Sequence, residues 1–279
     1  MKDQTSETSP EVSSPMNEEK SDFFSDVVRG KKMTPLKGLI YGYNGVGKST
    51  FASKSKAPIF LDLEGNIDHF DIDRVPVNTL EAVEERLKHL LVHPHQYTTV
   101  VIDSVDKLEM RITQYIRQTK SKKELDYGRL YGFIAEHFES ILEQLDRLRD
   151  ERNMNVILIG HSAIKRCENP TTQVYDKYVL RLHEKSADLI CDWAHFILFA
   201  VNDLSFEEGE DLGFNKTRER VRMNDRRILY TMGNTAYIAK NPYNLPRTIP
   251  LRDAKDSTDW NNFITSIRNY YATPNQEGV

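Results

Sequence analysis

Short apolar runs punctuate the chain after residue 32. They are LKGLIYG, PIFLDLEG (Pro58–Gly65), TTVVIDS (Thr98–Ser104), NVILIG (Asn155–Gly160) and HFILFAV (His195–Val201). Each is nearly continuous rather than alternating, as expected of strands covered on both faces of a parallel sheet. Between them the apolar positions change to helical spacing. Leu80, Val83, Leu87, Leu90 and Leu91 form one stripe, and Asn78 followed by Glu81 predicts a capping-box-like start for it. Leu130, Phe133, Ile134, Ile141, Leu145 and Leu148 form another. These stripes read as core faces without chemistry of their own. Strands alternating with helices predict an α/β fold with a doubly wound, mostly parallel sheet.

The pattern changes at both ends. Residues 1–32 are rich in Ser, Glu, Asp and Pro, with Phe23, Phe24, Val27 and Val28 as their apolar pairs. Such a segment buries too little surface to offset its ordering entropy, so it reads as a disordered tail, with SDFFSDVV as a candidate partner-binding peptide. From Glu207 an acidic EEGED precedes the basic NKTRERVRMNDRR, and the β-like runs ILYTM and AYIAK follow. This stretch predicts a hairpin-bearing extension of the sheet. After Trp260, the positions Phe263, Ile264 and Ile267 predict a short amphipathic helix before a polar end. The expected division is a tail over 1–32, a main domain over 33–260, and a helix with polar tail over 261–279.

Composition narrows the function. The 279 residues carry a formal net charge of −4, so any nucleic-acid contact has to come from a local patch. The two cysteines, Cys167 and Cys191, fit neither a zinc motif nor a secreted disulfide framework. No apolar stretch approaches the ~20 residues that span a bilayer. The N-terminus lacks a signal-peptide pattern, and a reducing cytoplasm is the expected location, that of the host if the protein is viral.

The chemistry begins where the first strand ends. GYNGVGKST comprises Gly42, Tyr43, Asn44, Gly45, Val46, Gly47, Lys48, Ser49 and Thr50, and fits the pattern G-x-x-x-x-G-K-S/T in full. Glycines at these places let backbone N–H groups turn inward around phosphate oxygens, and the following helix adds its positive end. Lys48 is expected to reach the β- and γ-phosphates of ATP, and Ser49 to bind Mg2+. A plain glycine-rich turn would not explain the lysine. Asp103, at the C-terminal end of an apolar strand, is the expected second holder of the metal shell, although an aspartate there also suits a helix cap. Hydrolysis then needs a group that orients or deprotonates water. Ser104 follows Asp103 where some ATPases have a Glu, so Glu64, at the end of the preceding strand, is the candidate base. Asp62 reads as structural. His161 or Ser162, ending the strand VILIGHS, is a candidate γ-phosphate sensor.

Taken in order and spacing, GYNGVGKST, IFLDLEG, VVIDS and VILIGHS resemble the RecA-like P-loop NTPases. The similarity extends through NVILIGHSAIKR, YDKYVLRLHEKSADLICDWAHFILFA, RRILYT and AKNPYNLP. It looks closest to the bacteriophage AAA-family or RecA-like ATPases of the Sak type, single-strand annealing relatives of RecA and RadA, and covers roughly residues 36–259. The resemblance implies Glu64 as catalytic base and a DNA-contacting loop, SAIKRCENPTTQVYDKY. In that loop Lys165, Arg166 and Lys177 would touch phosphates, and Tyr175 or Tyr178 would stack on bases. It also implies a homo-oligomer with ATP sites between subunits, where a neighbour's basic residue stabilises developing charge. Lys240 matches that residue. Pro242 stands where relatives often carry Arg, and Arg222, Arg226 and Arg227 are candidate substitutes.

The expected activity is therefore ATP binding and DNA-dependent hydrolysis on single-stranded DNA, in recombination or annealing. A nucleotide-gated loader or scaffold with little turnover is the alternative. It would bind a single-strand-binding or replication protein through the N-terminal tail. A P-loop kinase is the other competitor, and the Glu64 position suits water better than an acceptor hydroxyl.

Overall fold

The computed structural model describes residues 27–168, 173–207 and 220–273. Residues 33–273 form one compact unit, while 1–32 and 274–279 fall to another, of which 27–32 are described and carry no helix or strand. Most of SDFFSDVV, all of ENPTT beyond its first residue, and EEGED after Glu207 lie outside the described residues.

The core of the unit is a nine-stranded sheet. Its strands are β1 (Lys37–Gly42), β2 (Pro58–Asp62), β3 (Asp73–Pro76), β4 (Thr99–Asp103), β5 (Asn155–Cys167), β6 (Tyr175–Leu180), β7 (Phe196–Glu207), β8 (Arg220–Tyr230) and β9 (Thr248–Leu251). The spatial order is β3-β2-β4-β5-β1-β7-β8-β9, with β6 paired to the far part of β5. Neighbours from β3 to β7 are parallel. β8 and β9 continue the sheet antiparallel, so the expected C-terminal extension is present. The outer strands β3 and β9 have four residues each and contain Pro76 and Pro250.

The near-continuous apolar runs are explained by layers on both faces. Alternate residues of each central strand enter different cores. Leu39, Val100, Ile102, Val156 and Leu158 face one side, with α2 (Leu80–Val92), α3 (Val105–Thr119), α4 (Arg129–Arg152) and α5 (Glu184–Trp193) over them. Ile40, Phe60, Val101, Ile157 and Ile159 face the other, covered by α1 (Lys48–Ser53) and α6 (Thr258–Ala272). Burial on both faces removes the polar alternation that a one-sided sheet would show.

Several expectations change in detail. The α2 cap is Thr79, whose hydroxyl accepts from the amide of Ala82 at 3.2 Å, and not Asn78. The stretch after His161 is not a loop: β5 runs on to Cys167 and turns back as β6. AYIAK forms no strand and makes only single bridges, Tyr178 to Tyr237 and Ile197 to Lys240. The helix near Trp260 begins at Thr258, ahead of the expected boundary at 260. Its Trp260 and Phe263 rings lie 5.0 and 5.7 Å from that of Phe51 on α1. Lys54, at the end of α1, and Asp259 of α6 form a buried ion pair at 2.8 Å, their side chains 2% and 0% exposed.

Candidate nucleotide site

The strand order determines which residues meet. β5 lies between β1 and β4, and β2 lies beyond β4. The segments leaving their C-terminal ends surround one cavity of about 420 Å3. This is where open α/β sheets bind ligands.

The loop at its floor is shaped by two glycines. At Gly42 a Cβ would fall on the carbonyl of Ala200 in β7, so no side chain fits. Gly47, with φ at 100°, turns the chain into α1 in a conformation that side chains disfavour. Lys48 folds back over the loop and donates to the carbonyls of Tyr43 at 2.6 Å and Gly42 at 3.3 Å. Burial lowers its pKa to about 8, against the opposing pull of Asp103, Glu64 and Asp106. The Ser49 hydroxyl donates to Asp103 Oδ2 at 2.6 Å, which joins the loop to the acid at the end of β4. Burial pushes Asp103 up to about 6, although the Ser49 hydrogen bond acts in the opposite sense. The N-cap position of α3 falls on Ser104, not Asp103, and the Ser104 side chain makes no capping hydrogen bond.

Glu64 stands beside this pair. Asp62 Oδ1 accepts from the amides of Glu64 at 3.1 Å and Gly65 at 2.7 Å, and this turn sets the direction of Glu64. Ser104 donates to Glu64 Oε1 at 2.6 Å, and Asn66 donates to Oε2 at 2.7 Å. His161 Nδ1 lies 3.4 Å from Oε1, with both side chains 9% exposed. Ser104 therefore holds a glutamate supplied by the neighbouring, preceding strand β2.

Asp106, in the first turn of α3, ties these groups to the hairpin. It accepts from the His161 amide at 3.2 Å, lies 2.9 Å from the His161 ring nitrogen, and accepts from Arg181 at 2.7 Å. Burial alone would raise its carboxyl, but the hydrogen bonds and charges of His161 and Arg181 outweigh it and hold the carboxyl far below the usual range. Glu64, Asp106 and His161 bring ligand-type atoms within 4.8 Å of one another. Arg181 already occupies Asp106, so a cation there would meet a guanidinium. Ser49 and Asp103 are the oxygen pair better suited to a hard cation. Asp106 and Arg181 were absent from the sequence reading. Their only signals are the Asp three residues after Asp103 and the Arg that ends the run YDKYVLR.

Of the remaining predicted residues, Lys240 and the basic residues of the β5–β6 pair are not among those lining the cavity. Lys240 is on another flank, donating to the carbonyls of Ala194 at 2.7 Å and Asp192 at 3.4 Å beyond α5. Lys165 and Lys177 stand opposite one another across the β5–β6 pair, next to the Arg166–Asp176 pair. Lys165 also meets Glu184 at 3.3 Å. Tyr178 is committed inward: it shares a 2.7 Å hydrogen bond with the loop residue Tyr43, and its ring lies 5.2 Å from Phe199. Burial, then Tyr178, pushes the Tyr43 hydroxyl up to about 12. The Ser162 hydroxyl is buried without a hydrogen-bond partner. Arg227 of β8 lines the cavity in the same chain.

The loop, the acid and the doubly wound sheet that carries them define an α/β P-loop nucleotide-binding ATPase. The chain belongs to the AAA domain family, whose model matches residues 34–243. A curated relative is the SPbeta prophage-derived uncharacterized protein YorG of Bacillus subtilis strain 168. It is 24% identical over 160 residues, 54% of this chain and 48% of the relative, so the chain spans about half of that protein's length. Among solved structures, the RadB recombinase matches with a TM-score of 0.38 and 14% identity, over 71% of this chain and 80% of that one. No helix among the described residues is long and apolar enough to cross a membrane.

Proposed function

We propose that this protein binds ATP with Mg2+ and hydrolyses it as a RecA-like ATPase acting on single-stranded DNA, in phage recombination or annealing of the Sak type. The observation that carries the proposal is the convergence of Ser49, Asp103, Glu64 and His161 on one cavity. In this reading Gly42–Thr50 cradle the phosphates and Lys48 leaves its loop carbonyls for them. Ser49 and Asp103 hold the metal, which when bound neutralises phosphate charge. Glu64, oriented by Ser104 and the Asp62 turn, takes the proton of the attacking water. His161, fixed by Asp106, contacts the γ-phosphate. The origin of the curated relative in a prophage supports the phage setting.

The exposed Lys165 and Arg166, with the half-buried Lys177, form the DNA contact, and Ile164, 62% exposed, adds an apolar surface beside them. Copies of the chain assemble with Lys240 offered to the neighbouring site. To act there its ammonium has to leave the carbonyls of Ala194 and Asp192. That engagement, together with Pro242, favours a second reading, a nucleotide-gated loader with little turnover whose tail binds a replication protein.

ATP hydrolysis with and without single-stranded DNA, at low and physiological salt, separates the two. Stimulation that weakens with salt supports the first. Bound ATP without stimulation supports the second. Glu64→Gln is expected to abolish turnover while sparing ATP binding, and unchanged turnover in that variant removes Glu64 as the base.

A further inference from the structure

We infer that Arg227 is a nucleotide-binding residue in cis, contacting the phosphate chain from the side of the loop opposite Glu64 and His161. The inference rests on the reading of Gly42–Thr50 as a nucleotide site and adds a residue to it. Arg227 was a sequence candidate only for a finger reaching into a neighbour's site, and its position in the fold points elsewhere.

Antiparallel pairing puts Arg227 opposite Asn202 of β7 and Leu251 of β9. Asn202 lies two residues past Ala200, the register partner of Gly42, so Arg227 stands just above the C-terminal edge of β1. The period of two puts it on the same face as Leu229, which is buried in the core shared with Val46 and Phe51. The ladder with β7 shifts register between Asn202 and Leu204, next to Arg227. The guanidinium consequently hangs over the loop: a Cβ built on Gly47 would lie 3.3 Å from it. Gly47 is the glycine directly before Lys48, where inward-turned amides meet phosphate oxygens.

Charge supports the same assignment. Among the described residues lining the cavity, the formal cations are Lys48 and Arg227, facing Glu64 and Asp103. Arg227 is held by Asp253 at 2.8 Å, and that carboxylate is 91% exposed. A solvent-exposed ion pair of this kind is weak, so phosphate oxygens, which match a guanidinium fork in geometry, can displace it. A contact near Gly47 reaches phosphates that ADP and ATP have in common. Arg227 therefore contributes to affinity for both nucleotides in a single chain, whereas a finger in trans would act on turnover in the assembled protein.

The test is titration of fluorescently labelled ADP and ATP against the full chain, diluted until it is monomeric. Wild type, Arg227→Ala, Arg227→Lys, Asp253→Asn and Lys48→Ala are compared, with thermal unfolding confirming that each is folded. Arg227→Ala is expected to weaken both nucleotides by about tenfold or more, with Arg227→Lys intermediate. Asp253→Asn is expected to retain or improve affinity because it frees the guanidinium. Wild-type affinity in Arg227→Ala, with binding lost in Lys48→Ala, overturns the cis role and leaves the loop reading standing. Undiminished binding in Lys48→Ala overturns the loop reading itself. A loss in Arg227→Ala confined to turnover at assembling concentrations returns Arg227 to a finger in trans.

Discussion

Lys48 and Asp103 face each other with displaced titrations, and each gives a pH dependence. Lys48 has its pKa lowered from 10.5 to about 8. A lowered lysine contributes stability that is present above pH 10.5 and lost as pH falls through about 8. Phosphate oxygens reverse the shift, so the complex binds a proton that the free protein lacks above pH 8. Nucleotide affinity is then expected to fall as pH rises beyond 8, by at most about tenfold per pH unit, and calorimetry in buffers of different ionisation enthalpy will register the proton uptake. Asp103 has the opposite displacement, from 3.8 to about 6. Its contribution to stability is present below pH 3.8 and lost as pH rises through 6. A divalent cation requires the carboxylate, so the Mg2+-dependent part of nucleotide binding should fade as pH drops below 6. Titrations with and without chelator between pH 5 and 7 check this. At this scale the site was legible where its chemistry is local. The loop is one uninterrupted motif, and Glu64 and Asp103 end apolar runs. Asp106 was hidden because its partners His161 and Arg181 lie 55 and 75 residues away in sequence, and their meeting depends on how β5 and β6 fold.

Among the elements, α1 is short for the work it does. It has six residues and begins at Lys48, which lines the cavity. Its position depends on α6, through the Phe51, Trp260 and Phe263 rings and the buried Lys54–Asp259 pair. Asp259 also accepts from the amides of Arg252 at 2.8 Å and Trp260 at 2.7 Å. Asp259→Ala strands an ammonium in the interior and is expected to destabilise the protein by about 3–5 kcal/mol, read as a lower urea midpoint. The paired change Lys54→Met with Asp259→Leu should recover most of that loss. The helix at the C-terminal end could be anticipated from Phe263, Ile264 and Ile267, but its role as a brace could not, because Phe51 and Trp260 are far apart in the chain. The β5–β6 hairpin escaped the sequence reading for a related reason. Past His161 the apolar run breaks into exposed Ile164, Lys165 and Arg166, which resembles a loop until β6 is known to pair with it. β3 escaped because four residues, DRVP, carry too little pattern.

For the whole molecule, the open matter is whether its chemistry is shared between copies. Mixing Glu64→Gln chains with Lys240→Ala chains distinguishes the cases. If Lys240 serves a neighbour, the mixture recovers turnover that neither variant has alone. No recovery leaves Lys240 as the residue that satisfies the carbonyls at the end of α5. The margins of the sheet limit how such copies can meet. β3 and β9 are four residues long, and each contains a proline that has no amide hydrogen to donate. They make poor templates for another chain's backbone. Copies are therefore not expected to lengthen one another's sheets through β3 or β9. They would have to join through helices, loops or the β5–β6 hairpin instead, so the contact would be made away from the two ends of the main sheet.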